Sequence, residues 1–283
     1  MRSSSRPEPS SLEIEPVADM SLSGEAAGDG PPVVLLHGLT ATRRNVVQGS
    51  RHLLSRGRRL ISYDARGHGE SSPAPDPAAF GYADLTADLG AVLDGLVRDR
   101  AVLVGSSMGA ATAIRFCLAH PERVAALVQI TPAYRDAEAL GAAELAHWDR
   151  LADALDAHDL DAFLDASGAD DLPRRWREPA RLATRQRLER HRHLGAVADA
   201  VRVVPRSQAF DGLERLGEIE VPTLVVGSRD AADPLHPLAV AREYARRLPL
   251  GELAVEDEGD TPLAWQGARL SRSIGDFLDR AQV

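Results

Sequence analysis

A five-residue turn limits the folds open to this chain more than any other segment. Gly105-Ser106-Ser107-Met108-Gly109 stands between two runs of different periodicity. Before it, Ala101-Val102-Leu103-Val104 is apolar without alternation, the pattern of a strand buried on both faces of a parallel sheet. After it, Ala110 to Phe116 reads as a helix. A chain that passes from a buried strand to a helix in so few residues needs a backbone conformation that side chains resist. Glycine at 105 and 109 removes the Cβ atoms that would strike the neighbouring strand or helix. Ser107 is the central residue of that spacing, which exposes its hydroxyl above the carboxyl edge of the sheet, with Ser106 beside it.

Strand-like and helix-like segments alternate on either side of this turn. Pro31 and Pro32 introduce the strand Val33 to Leu36, which ends in His37-Gly38-Leu39-Thr40, and a helix is expected from about residue 42 to 56. The strand Leu60 to Tyr63 follows, then a helix from Tyr82 to Val97 with Leu85, Leu89, Val92, Leu93 and Leu96 at helical spacing. Past the turn, a helix stops before Pro121 and Val124 to Ile130 forms another strand. Between residues 133 and 217 no strand-like run occurs, and Ala, Asp, Arg and Leu recur at helical spacing. The alternation resumes with Thr223 to Val226, a helix from Leu238 to Arg247, the strand Leu253 to Val255 and a helix from Ala264 to Leu278. This order predicts an α/β fold, a mostly parallel doubly wound sheet built from residues 12–132 and 218–283, with an all-helical lid over 133–217. Residues 1–11, rich in Ser, Pro and Arg, are expected to be a disordered tail.

Composition narrows the partners. A net charge of -9 argues against nucleic acid or an anionic membrane as the main partner. All 33 basic residues are arginine, so no lysine can form a Schiff base or hold a nucleotide phosphate. The single Cys117 cannot form an internal disulfide and falls on the apolar side of its helix, which fits packing in a reducing, cytoplasmic setting. No apolar run approaches the ~18 residues of a membrane span. Arginines crowd residues 174–192, the pattern of a solvated helix face, and His191-x-His193 lacks a third metal ligand. The expectation is a small-molecule substrate, with no cofactor or metal implied and the oligomeric state open.

His37-Gly38 after a strand, Asp64-Ala65-Arg66-Gly67-His68-Gly69-Glu70-Ser71, the turn at 105–109 and His120-Pro121-Glu122-Arg123-Val124 together resemble the α/β-hydrolase superfamily. Within it the likeness is to the small single-chain group of enol-lactonases, cofactor-free haloperoxidases and esterases. It covers residues 28–128 most closely, 221–278 less so, and the lid very little. The resemblance implies Ser107 as nucleophile and the backbone N–H groups of Leu39 and Met108 as the oxyanion hole. His37, Gly38 and Ser106 would border the substrate, His37 as the family's structural histidine. His68 reads as a ring that hydrogen-bonds its own loop.

The acid and the base are less settled. Asp230 has the family's spacing from Gly227, whereas Asp233-Pro234-Leu235-His236-Pro237 matches its entry into the next helix. The glycine-histidine pair usual after the last strand corresponds to Gly259-Asp260, so a carboxylate replaces the imidazole. His236 is the only histidine beyond either candidate acid. Three readings stay open: His236 is the base, Asp260 is the base with a raised pKa, or neither serves. The first requires the His236 ring within about 4 Å of the Ser107 hydroxyl. The second puts Asp260 at the mouth of the cleft. The resemblance implies hydrolysis of an ester, lactone or related carbonyl; a ligand-binding protein, or a lyase or cyclase using the oxyanion hole alone, is the alternative.

Overall fold

The apolar runs of the sequence become the middle of one sheet. The computed structural model describes residues 9–134, 140–230 and 233–283. Its strands are β1 (Ser10–Val17), β2 (Met20–Ala27), β3 (Pro32–Leu36), β4 (Arg59–Tyr63), β5 (Ala101–Ser106), β6 (Val124–Ile130), β7 (Thr223–Val226) and β8 (Gly251–Ala254). They hydrogen-bond in the order β1-β2-β4-β3-β5-β6-β7-β8. β1 with β2 and β2 with β4 are antiparallel, and every other pair is parallel. The helices are α1 (His52–Ser55), α2 (Tyr82–Leu96), α3 (Met108–Ala119), α4 (Ala142–Asp156), α5 (Leu160–Ala166), α6 (Arg174–Leu188), α7 (Leu194–Val203), α8 (Leu238–Arg247) and α9 (Gly267–Arg280). None of the described helices is long and apolar enough to cross a membrane.

Two expectations need correction. The expected tail ends earlier than residue 11, because Ser10 and Ser11 pair with Ala26 and Glu25 in an N-terminal hairpin. Leu12 and Ile14 alternate with Glu13 and Glu15 along β1, so one face of the strand packs while the other meets solvent. Residues 1–8 lie outside the described residues. The helix expected over 42–56 is broken into a single 3-10 turn, Arg43–Asn45, and the short α1. Gln48 at φ 49° and Gly49 at φ 72° take left-handed conformations that end any helix between them.

Burial follows the layers. α2, α3 and α8 cover one face of the sheet through Leu89, Leu93, Ile114, Phe116 and Tyr244, and α9 covers the other through Leu270, Ile274 and Phe277. Cys117 is buried in the first of these layers, where burial pushes its thiol up to about 12. α4 to α7 share a separate core made of Leu155, Phe163, Leu188, Val197 and Val201. A further cluster joins Ala196, Ala200 and Val204 of this helical cap to Phe80 and Met108, so α7 sits directly over the turn after β5. β3 lies between β4 and β5, and the chain leaves β3 toward one neighbour and returns to the other. Such a switch opens a crevice beyond the carboxyl ends of the two strands, which here end at residues 36 and 106.

Candidate active site

Ser107 adopts φ 49° and ψ -111° and caps the N-terminus of α3. A non-glycine residue in such a region costs on the order of 1–3 kcal/mol, so the surroundings must hold it there. They do so through the Ser107 N–H, which donates to the Ile130 carbonyl at 3.1 Å, and the Ser107 carbonyl, which accepts from Ala111 at 3.0 Å. A Cβ at Gly105 would collide with the Gly109 carbonyl, and one at Gly109 with the Leu36 carbonyl. Strand, turn and helix therefore approach at a distance that only hydrogen allows.

The His236 ring lies against this serine. Its Nε2 is 2.7 Å from Ser107 Oγ, inside the roughly 4 Å its role requires. Its Nδ1 lies 2.8 Å from both carboxylate oxygens of Asp233. An ionised carboxylate only accepts, so Nδ1 carries the ring proton and donates it to Asp233, while Nε2 is left to accept from the Ser107 hydroxyl. Both side chains are largely shielded, at 18% and 15% exposure, which preserves the attraction between them. Asp233 and His236 come from one tight turn, in which the His236 N–H donates to the Asp233 carbonyl at 3.4 Å. Pro237 then starts α8.

The other two acidic candidates are held elsewhere. Asp230 accepts from the Trp265 indole N–H at 2.7 Å and is not hydrogen-bonded to His236. Asp260, expected near the cleft as a possible base, instead accepts from Arg269 of α9 at 2.8 Å with its side chain 46% exposed. Among the described residues no hydrogen bond joins it to the side chains of Ser107 or His236, which pair with each other and with Asp233. The same loop after β8 carries the buried Glu256, which ties it to its surroundings. Glu256 accepts from Ser228 at 3.2 Å, from the Leu263 N–H at 3.1 Å and from the Arg229 N–H. Burial would raise the Glu256 carboxyl, but these donors outweigh it and hold it below its ordinary value.

The loop after β3 is positioned by three buried histidines. His37 Nε2 accepts from the Ala65 N–H at 2.8 Å, so its Nδ1 donates to the Gly38 carbonyl at 2.8 Å. Neither nitrogen remains for a substrate, and the ring that was expected to border one serves to shape the loop. His68 Nε2 accepts from the Thr40 N–H at 3.4 Å while its Nδ1 donates to the Arg66 carbonyl at 2.9 Å. His191, from the cap between α6 and α7, accepts at Nδ1 from the Gly69 N–H at 2.8 Å and donates from Nε2 to the Thr40 carbonyl at 3.0 Å. Thr40 has φ 60°, unfavourable for a β-branched residue, and two rings hold its two backbone groups. Burial lowers all three histidines: His37 below its ordinary value, His68 well below, and His191 to about 4.

Gly38 is set against the elbow, where a Cβ on it would lie 3.4 Å from Ser107 Cβ and from the Ser106 carbonyl. Met108 begins α3, so its N–H has no partner within the helix. Leu39 packs its side chain into both the cap core and the cluster under α7. The tie between His191 and Thr40 is the feature the sequence reading missed, since it joins residues 151 positions apart. No local pattern signals such a pairing.

Comparison with known proteins bears on this arrangement. The model of the alpha/beta hydrolase fold family matches residues 31–265. A protein of Variovorax paradoxus (strain S110), provisionally named carbamate hydrolase RutD, is 31% identical over 261 residues, which make up 90% of this chain and 94% of that one. Among solved structures, a thermophilic esterase from Thermogutta terrifontis superposes with a TM-score of 0.78 at 22% identity, over 97% of this chain and 100% of its own. The enol-lactonase from Burkholderia xenovorans LB400 superposes with a TM-score of 0.74 at 20% identity, over 95% and 99%. These two likenesses concern the fold.

Proposed function

The chain belongs to the alpha/beta hydrolase family, and on that premise we propose that it hydrolyses an ester, lactone or related carbonyl of a small molecule through Ser107, His236 and Asp233. The observation that carries the reading is the line of hydrogen bonds from Ser107 Oγ through both nitrogens of His236 to the Asp233 carboxylate. A serine hydroxyl is a weak nucleophile at neutral pH, and a base in hydrogen-bond contact removes its proton as the bond to the carbonyl carbon forms. The proton passes to His236 Nε2. Asp233 stays ionised and stabilises the imidazolium, which then protonates the departing oxygen or nitrogen. Water next donates a proton to His236, attacks the acyl group on Ser107 and restores the hydroxyl. The Leu39 and Met108 N–H groups stabilise the oxygen that becomes negative in both halves, each worth about 3 kcal/mol. The Variovorax relative's name falls within the same chemistry, since a carbamate is a carbonyl bearing a heteroatom leaving group.

A fluorophosphonate probe tests the reading because it modifies only an activated serine. The folded protein is expected to be labelled, and labelling should vanish in Ser107→Ala and fall steeply in His236→Ala. Absence of labelling in a folded, unmodified protein would overturn the proposal.

A further inference from the structure

The arginines of the cap do not share one environment. Arg181 pairs with Asp165 at 2.7 Å, Arg185 pairs with Asp161, and Arg177 donates to the Leu172 carbonyl at 2.9 Å. Arg187, two residues beyond Arg185 on α6, has no hydrogen bond or ion pair among the described residues. Its Nε is shut off from solvent with no partner. Arg187 as a whole is half-buried, so one face of its guanidinium has lost water and gained no acceptor, which is unfavourable, while the terminal nitrogens stay open to a ligand.

Its position connects it to the cleft. Leu188, the next residue, is fully buried in the cap core against which Leu39 packs. His191 is fastened to Thr40 and Gly69. The end of α6 is thereby pinned over the loop after β3. Burial pushes the Arg187 guanidinium down while the Asp233 carboxylate pulls it up, and the Arg187 charge in turn helps lower His191. The side chain thus lies within electrostatic reach of both the turn that carries His236 and the histidine that anchors the cap. Asp233 does not satisfy it, since both oxygens of that carboxylate face His236 Nδ1.

We propose that Arg187 receives a carboxylate of the substrate, so that the carbonyl compound cleaved at Ser107 carries an acid group remote from the bond that breaks. The location of the reacting carbonyl rests on the reading of Ser107 as nucleophile. A planar guanidinium matches a carboxylate with two parallel N–H···O bonds. A single cation also balances a monoanion, whereas a dianion such as phosphate would leave uncompensated repulsion with Asp233. The contact fixes the acyl chain at its far end and so orients the carbonyl toward Ser107.

The test uses p-nitrophenyl monoesters of succinic, glutaric and adipic acids, each set beside the neutral ester of the same chain length. For at least one length, kcat/KM should favour the acid ester, and Arg187→Gln should reduce that preference by at least about tenfold, while Arg187→Lys keeps part of it. A preference that is absent, or equal in Arg187→Gln, overturns the proposal. Should the variants fail to fold, calorimetry on Ser107→Ala decides: monomethyl glutarate should bind at least about tenfold tighter than methyl pentanoate, and equal affinity overturns the proposal. Selective binding without turnover of any ester would instead refute the hydrolytic reading and leave the carboxylate site standing. Turnover without preference would do the reverse.

Discussion

His191 offers a direct way to weigh how firmly the cap is fastened to the core. In the folded protein its ring is neutral, 8% exposed, and held between Gly69 and Thr40, and burial takes its pKa from 6.5 to about 4. In the unfolded chain it titrates near 6.5. Between those values the unfolded state binds a proton that the folded state does not, so unfolding becomes easier as pH falls. The contribution is fully present above pH 6.5 and is lost as the pH drops toward 4. The difference amounts to about 3 kcal/mol in all, accumulating at roughly 1.4 kcal/mol per pH unit through the window. His37 and His68 are shifted in the same direction and add to the slope. Glutamine at 191 offers an oxygen to the Gly69 N–H and an amide N–H to the Thr40 carbonyl but cannot titrate. Urea unfolding followed by circular dichroism, at fixed ionic strength between pH 7 and 4.5, should give His191→Gln a shallower loss of stability by about one proton. Parallel curves for the two proteins would show that His191 is not held neutral by burial, and the reasoning about the histidine cluster would fail.

Asp233→Asn should keep the fold yet lower kcat on p-nitrophenyl acetate by about four orders of magnitude, because an amide no longer fixes the His236 tautomer. A loss under about tenfold would remove Asp233 from the mechanism. Asp260→Ala breaks only an exposed pair with Arg269, so stability should change by less than about 1 kcal/mol and turnover by no more than about twofold. A large fall in turnover, measured on the same ester, would return Asp260 to the role of proton acceptor.

The central sheet and the elbow could be read from sequence because each depends on neighbours in the chain. The unbroken apolar run before Gly105 and the two glycines flanking Ser107 specify a buried strand and a tight turn by local sterics alone. The hairpin of β1 and β2 escaped notice although Leu12 and Ile14 alternate with glutamates, because the Ser- and Pro-rich start dominated the composition. His236 is visible as a candidate because no other histidine follows either acid, and Asp233 because Asp-Pro leads into the next helix, but distance along the chain does not say which carboxylate faces the ring. Asp230 and Asp233 differ in this structure through Trp265, a residue 35 positions from Asp230 that occupies the first and leaves the second to His236. Arg187 was submerged in an arginine-rich helix whose other members are mostly solvated or paired. Only tertiary packing distinguishes it.

Placing the proposed acid and base together on the turn before α8 changes what the end of the chain must do. The segment between β8 and α9 contributes Glu256 and Trp265 as braces, whose side-chain hydrogen bonds go to Ser228, Arg229, Leu263 and Asp230 and not to Ser107 or His236. Residues 257–261 are exposed, and Gly259 turns there at φ 88°. Severing the backbone in that stretch would leave every proposed reacting side chain on the larger fragment. In a protein whose imidazole stood at position 260, the same cut would fall at the base itself. The terminal piece, supplied in trans, would therefore act as a mechanical wedge that restores rigidity to an otherwise complete reaction centre. Such a pair of fragments could be used as a reporter of association whose signal depends on docking and not on delivery of a missing chemical group.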